Sequence, residues 1–438
     1  MSGRGILCRR MRARLGGVAL AALLLVPAVP AGAQSAGAGA ALSLEQALRL
    51  AVEGSHLVAA SRAQAQASRE MEVSAGQLPD PVLKAGLDNV PLSGPDQFSV
   101  GRDFMTQRSI GVLQEFARED KRRARAARYE REAQVGEAQR ELTVAQVRRD
   151  VSTAWLERSY QESARALLQA QAAEAELQVD AADSAYRAGR GSQVDVFAAR
   201  TQLEQIHDRA SAAEQQIAAA TARLSRWIGA AADRPLAERP ATDAAPPAEA
   251  LADDRVERHP QLAVLAGQEA MAQADADLAR ANRRPDWSWE LTYSQRGSSY
   301  SNMISLNVSV PVPWNRSHLQ DRELAARLAQ RDQAQAERDD ARRALVAEAQ
   351  AVWRQWGIER ARLARYDASL TPLAQSRTEA ALAAYRAAAA PLATVLEARR
   401  GEIETKLDRL NIELDAARLW VQLNYLTAAV GGDAAAAR

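Results

Sequence analysis

The side chains of this sequence best suited to holding a metal or attacking a substrate are few. They are His56, His207, His259 and His318, and a lone cysteine, Cys8. None falls in a spacing that builds a site. There is no H-E-x-x-H helix, no Cys pair for zinc, and no glycine-rich phosphate loop between a strand and a helix. His56 and His259 stand at equivalent places in an internal repeat, which points to a structural role. Met71, Met105, Met271 and Met303 are scattered along the chain. Carboxylates are plentiful, but singly they hold soft or borderline ions weakly. The expectation is therefore no catalytic residue, no cofactor, no resident metal and no nucleic-acid partner.

Two short turns hold the remaining candidates. AYRAGRGSQVDVFAART (185–201) and AYRAAAAPLATVLEARR (384–400) are copies of one plan, with Tyr186 answering Tyr385, Val196 Val395, Ala199 Ala398 and Arg200 Arg399. Gly189 and Gly191 allow backbone angles closed to other residues, Ser192 follows them, and Pro391 suits the first turn of a helix. Asp195 and Arg200 lie just past the first turn. An acidic residue there also compensates a helix dipole, so Asp195 has a plain structural reading as well.

These turns sit inside a chain that repeats itself. Residues 34–230 form a first copy and 251–430 a second, joined by a Pro- and Ala-rich linker at 231–250, with a tail at 431–438. Each copy reads as helix, strand, strand, long helix, turn, helix. The helices are expected at Ser43–Gly76, Glu115–Ala188, Ser192–Ile228, Leu251–Asn282, His318–Ala388 and Leu392–Val430, with turns at 189–192 and 387–391. Apolar positions step by four and three along them: Val144, Val147, Val151, Trp155; Leu345, Ala349, Val352, Trp356; Ile403, Leu407, Leu410, Leu414, Ala417, Val421. That spacing makes one narrow coiled-coil seam, and the charged outer positions are solvated faces. A helix of roughly 70 residues runs about 105 Å, and the flanking helices are about half as long. Two half-length helices stacked end to end match one long helix, which would put the linker at mid-height.

Composition agrees with long, thinly packed helices: the 438 residues include only 5% aromatics and 23 glycines. Arg4, Arg9, Arg10, Arg12 and Arg14 precede the apolar run GGVALAALLLVPAVP and the sequence Ala31-Gly32-Ala33. A basic start, a short apolar stretch and an A-x-A site make residues 1–33 a signal peptide. Cutting there leaves 51 basic against 55 acidic residues, a net charge of −4, and removes Cys8. Cys8 precedes the apolar run, so it cannot be the lipidated first residue of a lipoprotein.

The expected strands lie at about 81–90 and 107–114 in the first copy and at 287–295 and 303–311 in the second. In WSWELTYSQ, Trp287, Trp289, Leu291 and Tyr293 share one face; in MISLNVSVPVP, Ile304, Leu306, Val308 and Val310 do. Leu83, Ala85, Leu87, Ile110 and Val112 make a weaker version in the first copy. One reading is a pair of soluble hairpins packed on helices. The other is lipid outside and water inside, because alternation with Trp and Tyr on the apolar face is the pattern of an outer-membrane barrel. Four strands cannot close a barrel, and open edges are not tolerated in hydrocarbon. The barrel would then be shared: eight strands from two chains would be filled by side chains, and twelve from three would leave a lumen.

With its two repeats, the opening segment LSLEQALRLA (42–51) and the paired turns, the mature chain resembles the TolC-like outer-membrane efflux protein family. The stretches SIGVLQEFAREDKRRARAA (109–127) and VSVPVPWNRSHLQDRELAA (308–326) resemble its heavy-metal branch, the cobalt–zinc–cadmium and copper–silver exporters. The resemblance implies a mainly α fold with a small β part: long coiled-coil helices in a periplasmic α-barrel, and four transmembrane strands per chain in a 12-stranded trimeric barrel. It further implies a homotrimer in the outer membrane, meeting a periplasmic adaptor and an inner-membrane pump of the resistance–nodulation–division (RND) type. Tyr186, Gly189, Gly191, Ser192, Tyr385 and Pro391 would form the adaptor-facing mouth, with Asp195 and Arg200 at its aperture. A drug or protein-secretion duct, or a periplasmic coiled-coil protein, are the alternatives.

Overall fold

The computed structural model describes residues 41–244 and 256–427. The expected signal peptide with Cys8, the last part of the linker, residues 251–255 and the tail beyond Thr427 lie outside the described residues. Among those described, no helix is long and apolar enough to cross a membrane.

Local sequence sets the element ends. Helix α1 (Leu44–Glu53) starts at Ser43, whose hydroxyl accepts the Gln46 N–H, and α2 (His56–Ala75) at Ser55, which accepts from Val58. The single helix expected over Ser43–Gly76 is thus two, because Gly54 loosens the helix and Ser55 caps the next one. Strands β1 (Val82–Asp88) and β2 (Gln107–Phe116) follow. The first long helix, α3 (Glu119–Arg187), begins four residues later than expected, since β2 runs on to Phe116 and the acidic pair Glu119 and Asp120 makes a better first turn. Its 69 residues span about 100 Å.

Helix α4 (Gln193–Ile228) returns along α3; α5 (Pro260–Asn282) leads into strands β3 (Trp287–Gln295) and β4 (Met303–Ser309). The second long helix is not continuous. It is α6 (Gln320–Arg365), a π-turn at Tyr366–Leu370, and α7 (Thr371–Arg386). Pro372 explains the break, because it lacks an N–H and its ring crowds the carbonyl four residues back. Helix α8 (Leu392–Leu426) completes the described chain.

In its strand-proximal half α3 packs between α2 and α5, and in its distal half between α4 and α8. So α2 and α4 succeed each other along one flank of α3, and α5 and α8 along the other, with α6 and α7 outermost. These contacts are close because the residues are small. A Cβ on Gly136 would stand 3.0 Å from the Ala65 backbone, and one on Gly267 2.9 Å from Val135.

The main core lies midway along α3. Val147, Val151, Trp155, Leu156 and Tyr160 meet Leu42, Ala47 and Ala51 from the N-terminal segment, Leu224 from α4, Ala232 from the linker, and Leu414, Ala417 and Val421 from α8. The Trp155 indole donates to the Leu42 carbonyl at 3.2 Å, and Leu42 bridges Leu236. Beside it the buried Glu157 receives Arg223 of α4 at 2.5 Å and Arg418 of α8 at 2.8 Å. Arg158 donates to the carbonyls of Ala232 and, at 3.1 Å, Arg234, so the linker is fastened to the centre of the long helix.

Trp155→Ala should therefore cost about 3–5 kcal/mol, the range for deleting a fully buried large aromatic side chain. Denaturant unfolding checks this, and a loss below about 1 kcal/mol would mean that the midpoint core does not hold these four segments to α3.

Candidate functional site

The four strands form one antiparallel sheet in the order β1-β2-β3-β4. Its register sorts the side chains onto two faces, since directly paired residues point the same way. Leu83, Val112, Leu291 and Leu306 form one row across all four strands; Ala85, Ile110, Tyr293 and Ile304 form the next. Trp289 pairs with Val308, and Trp287 pairs with and stacks on Phe116 at 4.6 Å. This face is apolar and open: Leu83 is 70% exposed and Ile304 73%. On the opposite face Lys84, Gly111, Thr292 and Ser305 make a row, Lys84 pairs with Glu290 at 2.6 Å, and Ser109 donates to Asp88 at 2.7 Å. Among the described residues nothing pairs the outer edges of β1 and β4.

All the strand residues named from sequence alternation lie on the apolar face: Trp287, Trp289, Leu291, Tyr293, Ile304, Leu306 and Val308 within strands, and Val310 just beyond β4. The sheet is tied to the helices by Asp286, which accepts from the Arg118 N–H at 3.1 Å and pairs with Lys121 at 2.6 Å.

At the far end, both turns close α3 and α7 in the same way. Arg190 N–H reaches the Ala185 carbonyl and Gly189 N–H that of Tyr186; Ala389 and Ala388 do the same to Ala384 and Tyr385. This pair of hydrogen bonds is a Schellman motif, which needs a left-handed residue after the helix. Gly189 fills it with φ +68°, and Ala388 fills it in the second copy with φ +56°. Gly191 has no positive φ. Its constraint is space, since a Cβ there would sit 3.2 Å from Ala185 and from the Tyr186 nitrogen.

Ser192 caps α4, and Asp195 accepts from the Ser192 N–H at 3.1 Å and hydroxyl at 2.7 Å. That capping box is the plain reading of Asp195. Arg200 is exposed and borders a shallow groove between α4 and α8 with Phe197, Glu204 and Glu404. Pro391 stands at the N-cap of α8, directly before its first turn. Tyr186 is exposed, while Tyr385 packs with Val179 and Leu382 on the core where the two hairpins meet: Val196 and Ala199 of one against Val395 and Ala398 of the other.

The histidines do not converge. Among the described residues no three His, Cys, Asp or Glu side chains are placed to hold a metal ion. His56 is exposed as the first residue of α2, and His207 and His318 are also exposed. His259, by contrast, is fully buried, caps α5 through Nδ1 to the Gln261 N–H at 3.2 Å, and meets Tyr425 edge-on at 5.1 Å. The repeat positions are equivalent in sequence but not in use. The Glu157 clamp was not anticipated either; the signal was a charged pair, Glu157-Arg158, directly after a seam ending in Trp155.

Solved structures share this fold. CusC, solved in the context of transmembrane channel formation, has a TM-score of 0.77 at 14% identity, over 88% of this chain and 92% of its own. The fold is TolC-like. The outer membrane protein VceC from Vibrio cholerae matches with a TM-score of 0.72 at 15% identity, over 88% and 96% of the two chains. The open state of the Neisseria gonorrhoeae MtrE outer membrane channel matches at 0.69 and 15%, over 88% of each. No family model and no curated relative matches the sequence. At these identities the likeness is one of fold.

Two measurements follow from the turns and the buried histidine. Gly189→Val should cost about 1 kcal/mol or more through its positive φ, seen as faster amide exchange at the tip, whereas Ala388→Gly should not loosen it. Burial holds His259 below its ordinary value of 6.5, against smaller opposing contributions from its contacts with Tyr425 and Glu348. The unfolded chain then binds a proton that the folded one refuses, so stability falls as pH drops below about 6.5. His259→Gln should flatten that acid limb in thermal melts between about pH 7 and pH 5; an unchanged limb would place its origin elsewhere.

Proposed function

We propose that this chain is the outer-membrane exit channel of a tripartite efflux assembly. Three copies contribute four strands each to a 12-stranded barrel, and their helices form a periplasmic α-barrel below it. The observation that carries this reading is the sheet: an exposed apolar face, a polar opposite face and two unpaired edges. Such a sheet is unstable in water and in lipid until its edges pair with other copies. A periplasmic coiled-coil protein would have no use for that face.

The helical tips then form the periplasmic mouth, meeting the adaptor through Tyr186, Gly189, Gly191, Ser192, Tyr385 and Pro391, with Asp195 and Arg200 at the aperture. The driving force comes from an inner-membrane pump of the RND type. The cargo is heavy-metal cations, a reading supported by the strand-exit sequences at 109–127 and 308–326. A duct need not bind its cargo tightly, since conduction requires release as much as entry. Selectivity then rests in the pump, and lumen carboxylates only bias the pore toward cations.

Mass measurement of the detergent-extracted mature protein should show a trimer; a stable monomer, or a protein that partitions into buffer, would sink the architecture. Calorimetry of that trimer with zinc in chelator-free buffer should show no saturable sub-micromolar site. Deletion of the gene should lower resistance to zinc, cobalt or cadmium, and loss of drug resistance alone would reassign the cargo.

A further inference from the structure

The two copies leave the sheet differently. After β2, only Ala117 and Arg118 separate Phe116 from the start of α3. After β4, ten residues, Val310 to Leu319, precede α6. This longer passage is open along its length, with Val310, Val312 and Leu319 exposed and Trp314 93% exposed, the barest large hydrophobic side chain in the described residues. A Trp that bare is costly in water, so an environment for it has to be found.

The stripe on β4 supplies the direction. Ile304, Leu306 and Val308 are on the apolar face, and Val310 and Val312 keep the same alternation past the last paired residue, Ser309. A barrel strand tilted at about 45° needs about 9–11 residues to cross the hydrocarbon. Strand β4 has seven, and extending it through Val312 brings the span to ten. The chain then turns, with the Trp314 N–H donating to the Val312 carbonyl at 2.8 Å. Pro311 and Pro313 have no N–H, so this stretch cannot add a full ladder to another strand. Trp314 thus falls one turn past the end of a full crossing, on the side of the sheet that leads to the helices, with Arg316 two residues further on.

We infer that Val310–Arg316 is a membrane-interface anchor, in which Val310 and Val312 complete the lipid-facing stripe of β4 and Trp314 seats its indole among phospholipid headgroups of the periplasmic leaflet. Indole favours that boundary because its ring is apolar and its N–H donates. Arg316 then lies at the level of the lipid phosphates. This inference rests on the proposed barrel, and it adds a lipid contact on the second copy that the first copy lacks.

Nitroxide labelling tests it. Leu306→Cys and Trp314→Cys, each with Cys8→Ser, are expressed as full chains, reconstituted in phosphatidylethanolamine–phosphatidylglycerol vesicles and labelled. Access to oxygen and to a water-soluble nickel chelate is then read by spin resonance. The expected result is strong oxygen and weak nickel relaxation at 306, and comparable access to both reagents at 314, the signature of the headgroup zone. Full nickel access at 314, equal to that of a label at exposed Arg343→Cys, with 306 still in lipid, would overturn the anchor and leave the barrel standing. Shielding of 314 from both reagents would also overturn it and assign Trp314 to a contact between copies. Nickel access at 306 would remove the barrel reading and the anchor with it. As an independent readout, the fluorescence lost in Trp314→Phe should be the portion quenched by lipids brominated near the glycerol backbone. If that portion is not quenched, the anchor fails.

Discussion

Everything in this structure turns on the hydrogen-bonding needs of two strand edges. A peptide N–H or C=O has water as an alternative partner only where water reaches it. The outer edges of β1 and β4 border a face whose rows, from Leu83 to Leu306 and from Ala85 to Ile304, are apolar across the entire sheet. Once that face is covered, water no longer reaches the edges beside it, and they must find protein. Closure among copies is the solution the proposed barrel supplies, and the polar face, with its Lys84–Glu290 pair, becomes the natural lining. Helix order follows the same logic. The outer helices of each copy, α2 with α4 on one side and α6 with α7 on the other, carry exposed Leu57 and Val73 and exposed Ile358 and Leu373. Sheet and helix layer therefore end at the same two open margins.

The long helices are held by a different principle. A rod of about 100 Å has little interior, so it cannot be stabilised by a large core. It uses close approach of small residues along its length, as at Ala65 and Gly136, and one concentrated core at its middle. That core is where chain economy is greatest: the N-terminal segment, the linker and the ends of α4 and α8 all converge on Trp155 and its neighbours. Each half-length helix needs its free end fastened: the ends of α4 and α8 meet the middle of α3, and the start of α5 packs with the end of α8 on Leu345, Ala349 and Val352 of α6. Glu157 reinforces this by taking two arginines from two different helices.

Much of this was legible in the sequence because it depends on period and length. Seam positions such as Val147, Val151, Leu345, Ala349, Ile403 and Leu414 are buried, and the strand alternation gave the apolar face residue by residue. What escaped was punctuation and long-range pairing. Gly54-Ser55 and Pro372 interrupt helices whose seams continue past them, so periodicity alone ran through both. Gly189 and Gly191 are equal candidates for a positive φ in the sequence; only Gly189 takes it, and its counterpart is Ala388, which no composition rule would select. The Glu157 clamp joins residues 66 and 261 positions apart, and no local pattern encodes such a partner.

The surface charges show why burial, not number, decides what an ion pair does here. Pairs such as Arg123 with Glu119 and Arg343 with Asp340 are solvated on both sides, where an ion pair is worth about 0–1 kcal/mol at most. They keep a long, thin protein soluble along its polar faces without fixing its geometry. The Glu157 carboxylate is different, because its side chain is nearly sealed from water and its lone pairs are taken up by Arg223 and Arg418. Removing one arginine leaves a buried charge half-compensated, whereas removing a solvated one leaves little behind. Two helices from different repeats therefore depend on a single acidic residue of a third, and the register of α4 and α8 along α3 is set at that point. The tips, about 45 Å further along by helix rise, inherit the register. The two turns are thereby positioned from the middle of α3.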